Sequence, residues 1–196
     1  MNLFGPDLPD GFKYRPDFVS VDDELTLLGS LTAIEFNAVE MRGVVAKRRT
    51  AHYGWTYGYR TRTSVPGEAI PVFLLPVREQ IARWLGIVPE ALAEALVTEY
   101  TPGAPIGWHR DAPMFGDIAG ISLGARCRIK FRPYVSPTES GRAGTPRRTS
   151  HELELAPRSA YLMTGVARSD FEHSIPPVGG TRYSITFRTV RNSPAQ

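Results

Sequence analysis

One cysteine, Cys127, stands in the 196 residues, which excludes an internal disulfide and any metal site built from paired cysteines. Such sparse thiol usage suits a reducing compartment, and the cytoplasm is the expected location. Long apolar runs are missing too. No window approaches the ~18 consecutive apolar residues of a membrane span, and the opening MNLFGPDLPDGF has neither the cationic start nor the apolar stretch of a signal peptide. A soluble protein with no membrane partner is expected. Net charge is only +3, too little for a general attraction to polyanions. Local cationic groups do occur at Lys47-Arg48-Arg49, Arg60 with Arg62, Arg126 to Arg132, and Arg147-Arg148. They can meet phosphates, although a solvated surface is the plainer reading. Histidine is scarce as well, so any histidine-based site must draw on His52, His109, His151 and His173.

What is abundant points to β structure. Seventeen prolines and 18 glycines accompany 42% hydrophobic residues, a composition of many turns and short strands. The length suits one domain with one core, and a monomer is expected. Ser20 before VDDELTLLGSL reads as an N-cap, with Leu25, Leu28 and Leu31 at helical spacing. A second helix begins near Pro71 and runs through VFLLPVREQIARWLG, with Val77, Ile81 and Leu85 on one stripe. Gly86 stops it, and Pro76 delays its start. Between the two, RRTAHYGWTYGYRTRT has no helical period and reads as strand and loop.

From about residue 95 short strands follow one another: ALVTEY, IAGISLG, RCRIKFR, HELELA, SAYLMTG, FEHSIPP and RYSITFRTV. So many imply a sandwich or barrel. Alternation is strict from Arg126 to Arg132, with Cys127, Ile129 and Phe131 on a core face and four cations on the other. Residues 133 to 150 have the composition of a loop. No internal repeat is present.

The stretch IGWHRDAPMF holds His109 and Asp111 two apart. In an extended segment such residues point to one side and can aim a nitrogen and an oxygen at one point. The third ligand would come from His173 in FEHSIPP. Two histidines and one carboxylate form the facial triad of non-heme Fe(II) oxygenases, which leaves positions open on the metal. A His-x-Asp pair alone is weak, because polar pairs on surfaces are common.

RYSITFRTV supplies a second feature. Arg182 and Arg188 are six apart, so both share a face with Ser184 and Thr186, and inward arginines need anions. At ~3.3 Å per residue their Cα atoms lie about 20 Å apart. Side chains reaching inward by roughly 6 Å leave a gap about the length of a five-carbon dicarboxylate. That suggests a clamp for 2-oxoglutarate, though an exposed edge strand with surface ion pairs reads equally well.

Taken together, His109-x-Asp111, His173 and Arg182 with Arg188 in RYSITFR resemble the AlkB family of Fe(II)- and 2-oxoglutarate-dependent dioxygenases. EYTPGAPIGWHRD, ISLGARCRIKF, YLMTGVARSDFEHSIPP and, upstream, RRTAHYGWTY extend the resemblance over roughly residues 40 to 190. It implies a mainly β (α+β) fold, a double-stranded β-helix or jelly roll with N-terminal helices packed outside the barrel. Residues 1 to 196 would be one dioxygenase domain: about 1 to 95 helices and a nucleotide-recognition lid, about 95 to 192 the catalytic jelly roll.

The resemblance makes His109, Asp111 and His173 the iron ligands. Tyr100, with Thr98, would contact 2-oxoglutarate; Arg182 would pair with its distal carboxylate, and Arg188 would help at the other end. Ser184 stands where some members have Asn, and Arg168 matches a position near the site. The cofactors implied are Fe(II), 2-oxoglutarate and O₂, and the reaction is oxidative removal of alkyl groups from bases in DNA or RNA repair. An alkylated base must leave its stack, so the partner would be a single strand or a flipped base. Arg49, His52, Tyr53, Trp55 and Tyr57, with Tyr59, Arg48, Arg60 and Arg62, supply aromatic and basic groups for it, although a single aromatic more often serves core packing. Pro113 departs from members that have an acidic residue two after the aspartate. The alternatives are a same-fold dioxygenase acting on a protein or small molecule and a silent nucleic-acid-binding jelly roll. A full ligand set argues against the latter.

Overall fold

The computed structural model describes residues 8–41, 43–58, 63–136 and 150–191, without the side chains of residues 41, 56–58 and 63–66. Among them two antiparallel sheets face each other as a jelly roll. The larger runs in the order β1 (Phe12–Arg15), β10 (Ser159–Met163), β7 (Phe115–Gly124), β12 (Arg182–Val190), β5 (Leu92–Tyr100), β3 (Val44–Gly58) and β2 (Asn37–Met41), with β4 (Thr63–Pro66) paired to β3. The smaller runs β6 (Ile106–His109), β11 (Phe171–Ile175), β8 (Cys127–Pro133) and β9 (His151–Leu155).

Two hydrophobic clusters hold these layers. One joins both sheets at one end through Tyr100, Ile118, Cys127, Ile129, Phe131, Leu155 and Ile175. The other packs α1 (Val21–Leu31) and α2 (Leu75–Leu85) on the outer face of the larger sheet, where Val97, Ile121, Ile185 and Phe187 meet Leu27, Leu31, Val77 and Ile81. Ser20 caps α1, its Oγ accepting from the Asp23 N–H at 3.0 Å while the Asp23 carboxylate accepts from the Ser20 N–H at 3.3 Å. This capping box satisfies donors that a helix end leaves orphaned. Gly86 ends α2 at φ 73°, a backbone region that favours glycine. Pro76 sits in the first turn, where its missing N–H costs nothing.

The face of α1 differs from the expected row. Leu25 is 64% exposed, whereas Leu27 and Leu31 are buried. The reason is geometric: with 3.6 residues per turn, a row stepping by three drifts about 120° between Leu25 and Leu31. The four alternating cations from Arg126, just before β8, to Arg132 each have an acidic partner. Arg126 pairs with Glu154 at 3.1 Å, Arg128 and Lys130 with Glu152 at 3.2 and 3.3 Å, and Arg132 with Glu172.

Leu31→Ala is expected to cost about 3 kcal/mol in chemical denaturation, and Leu25→Ala less than about 0.5 kcal/mol. Equal losses would place Leu25 in the interface.

Candidate active site

Strand pairing assembles the central triad. His109 on β6 and His173 on β11 are direct cross-strand partners, and their ring centroids lie 4.3 Å apart. Asp111, just past β6, brings its Oδ2 to 3.7 Å from His173 Nε2. One ligand atom from each of the three lies within 4.8 Å of the others. His109 Nδ1 lies 2.9 Å from the Gly107 carbonyl; a carbonyl only accepts, so Nδ1 carries the proton and Nε2 keeps its lone pair. Burial, reinforced by neighbouring His109, lowers the His173 pKa to about 3, so its imidazole is neutral and able to ligate. Burial alone would raise the Asp111 pKa, but the surrounding basic groups, Arg188 first among them, together outweigh it and hold the carboxyl well below its usual range. A neutral His173 imidazole beside an ionised carboxylate suits a divalent cation.

All of Arg182, Ser184, Thr186 and Arg188 are buried on one face of β12, and the two arginines meet different surroundings. Arg188 donates to Asp111 Oδ1 at 2.5 Å through Nη2 and to Glu94 Oε2 at 2.8 Å through Nη1. Burial disfavours its charge, yet the two carboxylates prevail and raise its pKa. Its anions are thus protein carboxylates. Arg182 is 0% exposed, donates from Nε to Ser122 Oγ at 2.9 Å, and lies 4.9 Å over the Tyr100 ring. Its Nη1 and Nη2 have no hydrogen-bond partner among the described residues. A buried guanidinium with two idle donors is costly unless an anion completes it, and a carboxylate matches that fork. Thr98 and Tyr100, cross-strand partners of Ser184 and Arg182, are buried on the same surface.

Three residues of this surface escaped the sequence reading. Ser122 orients Arg182, Glu94 holds Arg188, and Tyr161 stands opposite Gly120 on β7. Tyr161 feels the charges of both Arg182 and Asp111, and burial pushes its hydroxyl up to about 12. It therefore stays a neutral phenol.

Arg168, in α3 (Gly165–Ser169), organises the loop behind the triad. Its Nη2 donates to the carbonyls of Ala112 and Phe115 at 2.8 and 2.9 Å, and its Nε to Gly116 at 3.0 Å. Those residues lie within five positions after Asp111 of the triad.

The residues expected to face the substrate divide between the two sides of β3. Pairing of Arg49 to Gly54 with β5 makes this stretch part of the larger sheet instead of a separate lid, so strand alternation decides direction. His52 reaches the site side, with Nδ1 3.3 Å from Glu94 Oε1. Arg49 and Tyr53 turn the opposite way: Arg49 bonds Glu99 at 2.6 Å, and Tyr53 lies in the core beneath the helices. Trp55 is 41% exposed and Pro113 is exposed. The Tyr57 side chain, Tyr59, Arg60, Arg62 and the arginines at 142, 147 and 148 lie outside the described set.

A sequence model of the 2OG-Fe(II) oxygenase superfamily matches residues 26–188. The chain belongs to that superfamily: it is a 2-oxoglutarate-dependent dioxygenase, and its cofactors are Fe(II), 2-oxoglutarate and O₂. Within the superfamily it is AlkB-like. An Arabidopsis thaliana protein named as an alkylated DNA repair protein ALKBH8 homolog is 32% identical over 94% of this chain. An uncharacterized protein of Acanthamoeba polyphaga mimivirus is 28% identical over 92%, and a Xenopus tropicalis tRNA (carboxymethyluridine(34)-5-O)-methyltransferase alkbh8 is 26% identical over 98%. The chain spans 59%, 85% and 33% of these relatives. In fold it is similar to OsALKBH1, with TM-score 0.68 and 14% identity over 91% of this chain and 96% of that one. A Pseudomonas putida prolyl-4-hydroxylase gives 0.59 and 16% over 93% and 94%.

Arg168→Met should lower stability by about 2 kcal/mol by orphaning buried carbonyls and weaken Mn(II) binding at the triad about tenfold. Urea denaturation and calorimetric Mn(II) titration measure the two; wild-type Mn(II) affinity in the folded variant would mean that Arg168 does not organise the ligand loop.

Proposed function

We propose that this dioxygenase oxidatively removes alkyl groups from damaged bases of DNA or RNA. The observation that carries the oxygenase half is one surface bearing His109, Asp111 and His173 together with the two idle donors of Arg182. His109, Asp111 and His173 hold Fe(II). Arg182, held by Ser122, takes the distal carboxylate of 2-oxoglutarate, with Thr98, Tyr100 and Ser184 lining its length, while Arg188 fixes Asp111 at the other end. Bound Fe(II) with 2-oxoglutarate and O₂ supplies the oxidising power to hydroxylate a C–H bond, yielding succinate and CO₂. On an N-alkyl carbon, hydroxylation releases an aldehyde and the restored base.

For the substrate half, support comes from His52, which reaches the site side of β3, and from Trp55, which is exposed on the same strand; aromatic groups of this kind suit an unstacked base. The name of the Arabidopsis relative points the same way. Arg49 and Tyr53 are left out of this reading because they face the helices. Arg168 serves the ligand loop.

Aerobic incubation with Fe(II), 2-oxoglutarate and an oligonucleotide carrying 1-methyladenine or 3-methylcytosine tests the proposal by succinate and base mass. Wild type should lose the methyl mass, and His109→Ala and Asp111→Ala should not. Turnover should fall as salt rises, because phosphate contacts release counterions. Succinate without a base change would favour hydroxylation of a protein or small molecule instead.

A further inference from the structure

Glu94 is the least explained charge in the molecule. It lies on β5, is 1% exposed, and sits in no motif of the sequence. Arg188 already has Asp111 as a partner, and Glu94 is a second carboxylate on the same guanidinium. Taking a further charge out of water is costly, so a second carboxylate on one guanidinium calls for a structural reason.

Geometry shows what that is. A guanidinium held only by Asp111 could turn with it, and both carboxylate oxygens would be available to a metal. Glu94 Oε2 takes Arg188 Nη1 at 2.8 Å, which leaves Nη2 fixed on Asp111 Oδ1 at 2.5 Å. Oδ1 is thereby occupied, and Oδ2 is the oxygen beside His173 Nε2. The other Glu94 oxygen, Oε1, faces His52 Nδ1 at 3.3 Å, so the chain of contacts continues to the site side of β3. The strand register explains why Glu94 reaches both: it is the cross-strand partner of Arg188 on one side and of Gly54, two residues from His52, on the other.

We propose that Glu94 is a positioning residue for the metal site, fixing Arg188 so that Asp111 offers one oxygen and keeps the other from the metal. It acts through Arg188, touching neither metal nor cosubstrate. The proposal rests on the reading of His109, Asp111 and His173 as metal ligands.

The test is a double-mutant cycle of Glu94→Met and Arg188→Met read by anaerobic Co(II) titration and the Co(II) d–d absorption of the full chain. Methionine matches glutamate in length and brings no buried charge. Glu94→Met should weaken Co(II) binding about tenfold or more and shift the d–d bands, whereas Glu94→Gln, which still accepts from Arg188, should keep the wild-type bands. In the Arg188→Met background Glu94→Met should add no further change. A folded Glu94→Met with wild-type affinity and bands would overturn the proposal, and so would an effect that persists undiminished without Arg188. Should Glu94→Met fail to fold, Glu94→Leu is carried through the same cycle with the same two readings. Absence of Co(II) binding in wild type would instead remove the metal reading, and with it this proposal.

Discussion

Two guanidinium groups on one buried face of β12 set the terms for everything around them. A strand places residues 182 and 188 on the same side whatever their chemistry, and here that side is the interior. Each charge must be answered there. At one end the answer comes from the protein, as the Asp111 and Glu94 carboxylates accept from Arg188. At the other end Arg182 meets the Ser122 hydroxyl and the Tyr100 ring, and its Nη1 and Nη2 have no hydrogen-bond partner among the described residues. The asymmetry gives the surface a direction: one guanidinium is met by carboxylates of the protein, and the other is not.

The legible parts of this arrangement were those that rest on spacing along one segment. His109 and Asp111 share a side because they are two apart, and Arg182 and Arg188 because they are six apart. His173 was identifiable through the scarcity of histidine. What spacing does not carry is register between strands distant in sequence. Ser122, Glu94 and Tyr161 enter the site because β7 and β5 pair with β12, and β10 with β7; Glu94 belongs to no motif, and Ser122 and Tyr161 lie within quoted stretches whose pattern does not say what they face.

Parity also explains where expectation and structure diverge. Arg49, His52 and Tyr53 looked alike as a basic and aromatic run, but pairing with β5 sends His52 one way and its neighbours the other. Leu25 was placed in a helical row whose drift carries it to solvent. The cations from Arg126 to Arg132 can meet phosphates but read more plainly as a solvated surface, and the structure pairs them with glutamates of β9 and β11, which leaves little net charge for phosphate attraction there. Electrostatic attraction of a nucleic acid, on the proposed reading, must therefore come from elsewhere on the surface.

The central claim is that the unpaired Arg182 selects a dicarboxylate of fixed length. The most direct measurement is calorimetric binding of 2-oxoglutarate, 2-oxobutyrate and 2-oxoadipate to the Mn(II)-loaded protein under anaerobic conditions. All three carry the same 2-oxo acid head, and only the first places a second carboxylate at the five-carbon distance. A buried charge pair left without its partner costs about 2–5 kcal/mol, so 2-oxoglutarate should bind at least ~30-fold more tightly than 2-oxobutyrate, with 2-oxoadipate also weaker than 2-oxoglutarate. Equal affinity for 2-oxobutyrate and 2-oxoglutarate would contradict the account, because it would mean that Arg182 meets no carboxylate of the cosubstrate.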